Sequence, residues 1–228
     1  DLRDVMLEIE WDEQVKAVSV TADGKVFHAG GDLKEFHEAG EGLPKLASGM
    51  LTDFHGGIYK MNRMPKPFVA GVNGAAGGAG LSIVSAFDLV VAGESAQFTM
   101  AYTRAGVTPD GTSTYFVARH IGVRRMLDLT LTNRVLSARE AEEWGLVNRV
   151  VPDSEVDAAT AELAQSLADG PAWALGHAKQ IVYAGYNSSL EEAGEVEGAM
   201  IAEAMATHDG KEGIAAFVEK RSPTFTGE

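Results

Sequence analysis

Two glycine-rich segments are the stretches of this chain whose residue types and spacing suit chemistry. Val72-Asn73-Gly74-Ala75-Ala76-Gly77-Gly78-Ala79-Gly80 leaves an apolar strand-like run and enters an apolar helix-like one. The first N–H groups of a helix have no internal acceptor and carry partial positive charge, so this junction suits an anion. Close helix–strand packing through glycines is the alternative. The run contains neither G-x-G-x-x-G nor G-K-[ST], so it is not a dinucleotide fingerprint or a P-loop. Phe27-His28-Ala29-Gly30-Gly31-Asp32-Leu33 follows a strand, and its small residues let backbone approach a ligand; an ordinary turn fits equally. Asp110 follows Pro109 ahead of a helix. That is the place of an N-cap, which lowers a carboxyl pKa, whereas a proton carrier needs an apolar pocket to raise it. Met100, Tyr102, Val107 and Phe116 are candidate walls for such a pocket. His55 lies within a long helical run, where a histidine is also an ordinary surface or core residue. His28, His37, His120, His177 and His208 show no metal-ligand spacing, and no metal site is expected. No G-x-S-x-G occurs, which disfavours a serine hydrolase.

The elements that must hold these residues alternate. Asp1–Glu13 reads as helix, Val15–Ala22 as a short buried strand, and Leu43–Met64 as a helix ended by Pro65 and Pro67. Phe68–Val72, Leu89–Ala92 and Ala96–Thr99 read as strands, with a helix from the glycine run through Ala86. Pro109-Asp110-Gly111 is a turn that starts another helix. Arg134–Val151 reads as helix closing on a short strand at Arg149–Val151. Helices follow at Ser154–Leu167, Ala172–Tyr183, Leu190–Ala206 and Lys211–Glu219. Strands separated by helices predict an α/β fold with parallel strands and crossover connections. Neither linker nor repeat interrupts the chain, so 1–152 is expected to form the core and 153–228 a helical part of the same continuous domain.

Composition narrows the partners. The chain has 228 residues, 26 of them glycine, and no cysteine. Thiolate chemistry is excluded and a reducing compartment fits. A net charge of −14 argues against a nucleic-acid face, which needs clustered Lys and Arg. An anionic small ligand then depends on local basic residues or helix N-termini. No apolar run reaches the ~18 residues of a membrane span and no signal peptide is visible; a cytoplasmic protein is expected.

"FHAGGDL" and "VNGAAGGAG", 45 residues apart, together with "DLVVAGESAQF", "LTNRVLSAREAEEWGLVNRVV" and "AFVEKRSPTFTG", resemble the crotonase (enoyl-CoA hydratase/isomerase) superfamily along the whole chain. The resemblance implies a spiral of ββα turns with a C-terminal helical trimerisation region, and homotrimers or dimers of trimers. It also implies a first β-hairpin ahead of Asp1, either removed or not represented in this sequence. The substrate would be a coenzyme A thioester, with no permanently bound cofactor. By position, the oxyanion donors fall on the N–H groups of Gly31 and Ala79. Charge that develops on a thioester oxygen is stabilised by two such fixed donors, each worth roughly 3 kcal/mol by analogy with other oxyanion holes. Backbone at Ala29, Asp32 and Leu33 would hold the adenine, and Phe217 and Lys220 would reach CoA, often from a neighbouring subunit.

The sequence departs from the hydratase pattern at the two positions that carry glutamates there: they are Ser82 and Tyr102. Asp110 remains, as in single-carboxylate isomerases, in the ring-opening isomerase of phenylacetate breakdown and in 4-chlorobenzoyl-CoA dehalogenase. His55 matches the dehalogenase's histidine base. The first expectation is therefore double-bond isomerisation of an enoyl-CoA by Asp110, since one carboxylate can both take and return a proton. The alternatives are nucleophilic attack by Asp110 on a halobenzoyl-CoA with His55 activating water, ordinary hydration, and, in another class, a non-catalytic CoA-binding or assembly homologue.

Overall fold

The computed structural model describes residues 2–227. The chain opens with α1 (Leu2–Trp11), β1 (Val18–Val20), β2 (Val26–His28), α2 (Leu33–Ala39) and α3 (Leu43–Arg63). A second round follows, with β3 (Phe68–Val72), β4 (Ala75–Gly77) and α4 (Ala79–Ala86), and a third, with β5 (Leu89–Gly93), β6 (Gln97–Thr99), α5 (Ser113–Ile121) and α6 (Val123–Thr132). The remainder is β7 (Leu136–Ser137), α7 (Ala138–Trp144), β8 (Arg149–Val151), α8 (Val156–Ala168), α9 (Ala172–Gly185), α10 (Leu190–Ala206) and α11 (His208–Glu219).

Each round places its first strand in one sheet and its second strand in another. The sheets have orders β1-β3-β5-β8 and β2-β4-β6-β7. All pairings are parallel except β6 with β7. This is the expected ββα spiral. β3 (FVAGV) is buried at every residue, as a central parallel strand covered on both faces should be. Its neighbours Val90, Val91 and Ala92 are equally dry.

Local chemistry explains most boundaries. Met64 is extended at the end of α3, because a residue before proline avoids the helical region. Ser137 with Glu140, and Ser189 with Glu192, form reciprocal capping boxes at α7 and α10, each satisfying two orphan N–H groups. Gly122 at φ +81 separates α5 from α6. Three strands differ from expectation. β2 overlaps the start of the glycine-rich turn at Phe27–Leu33, β4 lies in the glycine run read as a strand-to-helix junction, and β7 lies inside a stretch that reads as helix. They are two or three residues long, too short for alternation to register, and exist because a neighbouring strand supplies their hydrogen-bond partners. α2 was not expected either. It starts on Asp32, whose side chain accepts the N–H groups of Lys34 and Glu35.

One buried ion pair ties the C-terminal helices to the core. Lys179 of α9 lies 2.9 Å from Asp88, with 6% and 14% of the two side chains exposed. The ammonium also donates to the carbonyls of Met61 and Lys66, at 2.6 and 2.9 Å. Asp88 accepts the Phe68 N–H at 2.8 Å and the Tyr183 hydroxyl at 3.0 Å. Burial pushes the Asp88 carboxyl up and the Lys179 ammonium down, and their mutual attraction opposes both shifts. Removing one partner strands the other charge in a dry site. Lys179→Met is expected to cost roughly 3–5 kcal/mol in urea unfolding, and Lys179→Met with Asp88→Leu to recover part of it. A single variant of wild-type stability would refute this account of α9 docking.

Candidate active site

The two glycine segments meet backbone to backbone. Gly30 is held at φ +101 and Gly78 at φ +56, conformations that glycine adopts without a Cβ penalty. A methyl on Gly30 would lie 3.0 Å from the Gly77 oxygen and 3.6 Å from the Ala79 nitrogen. On Gly80 a methyl would overlap the His28 carbonyl, so α4 sits directly on the end of β2. Both alternatives for the glycine run thus hold together: the packing is close, and it sets a helix N-terminus beside the first loop. Ala79 is the first residue of α4. Among the described residues neither the Gly31 N–H nor the Ala79 N–H has a hydrogen-bond acceptor.

Asp110 enters from the segment after β6. That segment is bent at two costly points. Ala101 has φ +54 in a tight turn closed by Tyr102 N–H to the Met100 carbonyl at 2.6 Å. Gly111 and Thr112 both have φ +61. Left-handed backbone at non-glycine residues persists where surrounding structure over-determines it. The surroundings here are Gly111 wedged between Phe54 and Ser82, where a methyl would come within 2.6 Å and 2.7 Å of them.

Asp110 is not the cap of α5. Thr112 holds that position, without a side-chain cap, and Asp110 contributes only its carbonyl, to the Ser113 N–H at 3.2 Å. Its carboxylate instead meets His55 of α3, Nε2 to Oδ1 at 2.8 Å. About a quarter of each side chain is exposed, 28% and 27%. With the carboxylate ionised it can only accept, so Nε2 carries the proton. Oδ2 has no partner among the described residues.

Ser82 and Tyr102 close the floor. Their hydroxyls are 2.7 Å apart, and both reach the Asp110 carbonyl, at 2.8 and 3.2 Å. Ser82 has one proton, so the short contacts fit Tyr102 donating to Ser82 and Ser82 to the carbonyl. Burial pushes the Tyr102 phenol up to about 12; it stays neutral at ordinary pH. Of the pocket walls suggested by the sequence, Met100 and Phe116 are core residues and Val107 is exposed, while Tyr102 reaches the Asp110 carbonyl.

The other expected residues are more scattered. Ala29 and Leu33 are exposed, and the Asp32 side chain is committed to capping α2. Phe217 is 86% exposed on α11, which packs on α10, and Lys220 ends that helix in the left-handed conformation. Neither side chain has a hydrogen bond or ring contact to the two loops among the described residues. His28, given no role from the sequence, accepts the Gly30 N–H on Nδ1 at 3.0 Å. The signal was a side-chain acceptor two residues before a glycine, as in turns closed by asparagine. No group of three His, Asp or Glu among the described residues could hold a metal ion, and no helix there is long and apolar enough to cross a membrane.

The sequence profile described as "Enoyl-CoA hydratase/isomerase" matches residues 1–228. The chain is 32% identical, over its full length and 87% of the relative, to 1,2-epoxyphenylacetyl-CoA isomerase of Escherichia coli. It is 35% identical to 4-chlorobenzoyl coenzyme A dehalogenase-1 of Arthrobacter sp., over 85% of this chain and 71% of that one. The crystal structure of an enoyl-CoA hydratase from Polaromonas sp. JS666 superposes with a TM-score of 0.94 at 29% identity, covering 98% of this chain and 87% of that one.

The raised Tyr102 pKa has a thermodynamic consequence. The phenol ionises near 10 when unfolded and near 12 when folded, so the folded state retains a proton that the unfolded state releases. Its contribution to stability is complete below pH 10 and is lost as pH rises through about 12. Wild-type protein is expected to lose more unfolding free energy across that window than Tyr102→Phe. Parallel pH profiles for the two would show that Tyr102 is not shielded as described.

Proposed function

The chain belongs to the enoyl-CoA hydratase/isomerase family of acyl-CoA enzymes, and from that membership we propose that it shifts a double bond along the acyl chain of a CoA thioester, with Asp110 carrying the proton. One observation carries the choice. The positions that bear two glutamates in hydratases of the resembling family are Ser82 and Tyr102, hydrogen-bonded to each other at 2.7 Å. Two neutral hydroxyls, one with a pKa near 12, are poor substitutes for carboxylates that must activate water. Asp110 is the carboxylate left beside them, with Oδ2 unpartnered.

In this reading the thioester oxygen sits between the N–H groups of Gly31 and Ala79. Asp110 takes a proton from C2 of a 3-enoyl thioester. The C–H electron pair spreads over a dienolate, whose oxygen gains charge that the two N–H groups stabilise more than the ground-state carbonyl. Asp110 then returns the proton at C4, leaving the 2-enoyl thioester. His55 N–H steadies the carboxylate. Backbone at Ala29, Asp32 and Leu33 would take the adenine end of CoA, and Phe217 and Lys220 would approach it from a neighbouring copy. Self-association fits the outer face of α9 and α10. Val182, Ile201 and Met205 are more than half exposed there, beside a cavity of about 590 Å³ lined by Trp173, His177, Ile181 and Met200. Faces of this kind seldom stay bare in a soluble monomer.

The 2.8 Å His55–Asp110 contact supports a second reading, the one the dehalogenase relative suggests. There the carboxylate oxygen attacks the ring carbon of a 4-halobenzoyl thioester, halide leaves with its bonding pair, and His55 activates water to hydrolyse the resulting ester.

Asp110→Asn is expected to abolish turnover under both readings, and full isomerase activity in that variant would return Asp110 to a structural role. His55→Gln separates them. Isomerisation should fall only modestly. Dehalogenation should stop after its first step, so mass spectrometry with 4-halobenzoyl-CoA would find a stoichiometric aryl adduct on Asp110; that adduct would overturn the isomerase reading. For assembly, light scattering at micromolar concentration should give a multiple of the single-chain mass. A value near one chain would remove the shared-site reading of Phe217 and Lys220.

A further inference from the structure

We propose that His28 is a positioning residue for the oxyanion site: by accepting the Gly30 N–H on Nδ1, it fixes the Ala29–Gly30 peptide, from which the Gly30 torsions carry the Gly31 N–H into place. This rests on the reading of Gly31 as an oxyanion donor.

The geometry runs through consecutive backbone atoms. The direction of the Gly31 N–H is set by the torsions of Gly30. Glycine has the widest choice of torsions of any residue, and Gly30 sits at φ +101, where nothing intrinsic holds it. Two restraints act on it. On one side it lies against Gly77, Gly78 and Ala79, the strand end and helix start that carry the second donor. That contact limits how near the loop can come but supplies no direction. On the other side the Gly30 N–H donates to His28 Nδ1 at 3.0 Å, and this bond is directional. His28 is itself anchored. It ends β2, paired with Ala76 of β4, and Gly80 of α4 packs on its carbonyl and Cβ. The ring therefore refers the Gly30 peptide to the same two elements, β4 and α4, that place Ala79. Burial lowers the His28 pKa, so the neutral ring is available as an acceptor, with its proton on Nε2.

Loss of the acceptor frees the Ala29–Gly30 peptide, and with it the Gly30 φ, and lets the Gly31 N–H swing away. A donor displaced by about 1 Å costs on the order of 10- to 100-fold in rate. The loss should fall on kcat, because the oxyanion forms only as the reaction proceeds, while KM should change little. His28→Asn is the conservative replacement, since its Oδ1 can stand close to the position of Nδ1 and accept the same N–H.

The test compares wild type, His28→Leu, His28→Ala and His28→Asn in two assays, with folding of each checked by circular dichroism. The first is steady-state conversion of a 3-enoyl-CoA. The second needs no turnover: the ratio of affinities for a 3-oxoacyl-CoA, which can bind as its enolate, and for the saturated acyl-CoA of equal length. Both kcat and the affinity ratio are expected to fall about 10-fold or more in the Leu and Ala variants and to recover in the Asn variant. Unchanged values in Leu and Ala, or a loss confined to KM, would overturn the proposal. So would ¹⁵N spectra of wild-type protein placing the His28 ring proton on Nδ1, a readout that does not depend on any variant folding. A wild type that discriminates the enolate but shifts no double bond would sink the isomerase reading while leaving the role of His28 standing. A wild type with no preference for the enolate would overturn the proposal together with the oxyanion reading on which it rests.

Discussion

The structure depends on two backbones being allowed to touch. α4 lies on the end of β2 so closely that a single methyl at Gly80 would occupy the place of the His28 carbonyl. The adjoining loop repeats the contact, with Gly30 against Gly77 and Gly78. Side chains between these elements would hold them apart by several ångströms, as they do elsewhere between helix and sheet. Without them, an N–H at the tip of a strand loop and an N–H at the first turn of a helix come into one neighbourhood. A helix N-terminus offers such donors for structural reasons. The glycines bring it to where a second donor already stands.

Asp110 obeys a different constraint. Asp110 is placed by its own carbonyl rather than by its side chain. That oxygen gathers Ser82, Tyr102 and the Ser113 N–H, leaving the carboxylate to meet His55 with one oxygen. The strained turn at Ala101 and the paired left-handed residues Gly111 and Thr112 are the cost of bringing the segment in at this angle. Ser82 and Tyr102 are in this sense structural: they satisfy each other and the loop that carries Asp110.

The Asp88–Lys179 pair performs the same task at larger scale. Lys179 comes from α9, Asp88 from the turn before β5, and the carbonyls that complete the ammonium's shell belong to the end of α3 and the approach to β3. α3 also carries Phe54 and His55. The helix that delivers the histidine is thus clamped at its C-terminal end by a charge from the helical region, which couples the geometry of the site to the docking of α9.

The alternation of strands and helices was legible in the sequence because the longer elements carry their own signals, while the spiral was implied by the family resemblance. β3 is a continuous apolar run between prolines and a glycine turn. α3 is bounded by Pro44 and Pro65, and α10 by a serine–glutamate capping box. The glycine segments were legible as places of close approach, and the absence of the two hydratase carboxylates could be read from Ser82 and Tyr102 by resemblance. What the chain alone left open was decided by long-range contact. β2, β4 and β7 exist only as partners of other strands. Asp110 had a cap-like position, and only the fold, by bringing residue 55 to residue 110, turned its side chain away from its own helix. His28 is the sharpest instance. Its neighbour Gly30 is two residues away, so the bond is local, yet the backbone and Cβ that carry the ring are held by β4 and α4, some fifty residues on. Composition and periodicity report what each residue prefers. Which acceptor a given N–H finds depends on elements that meet only after folding.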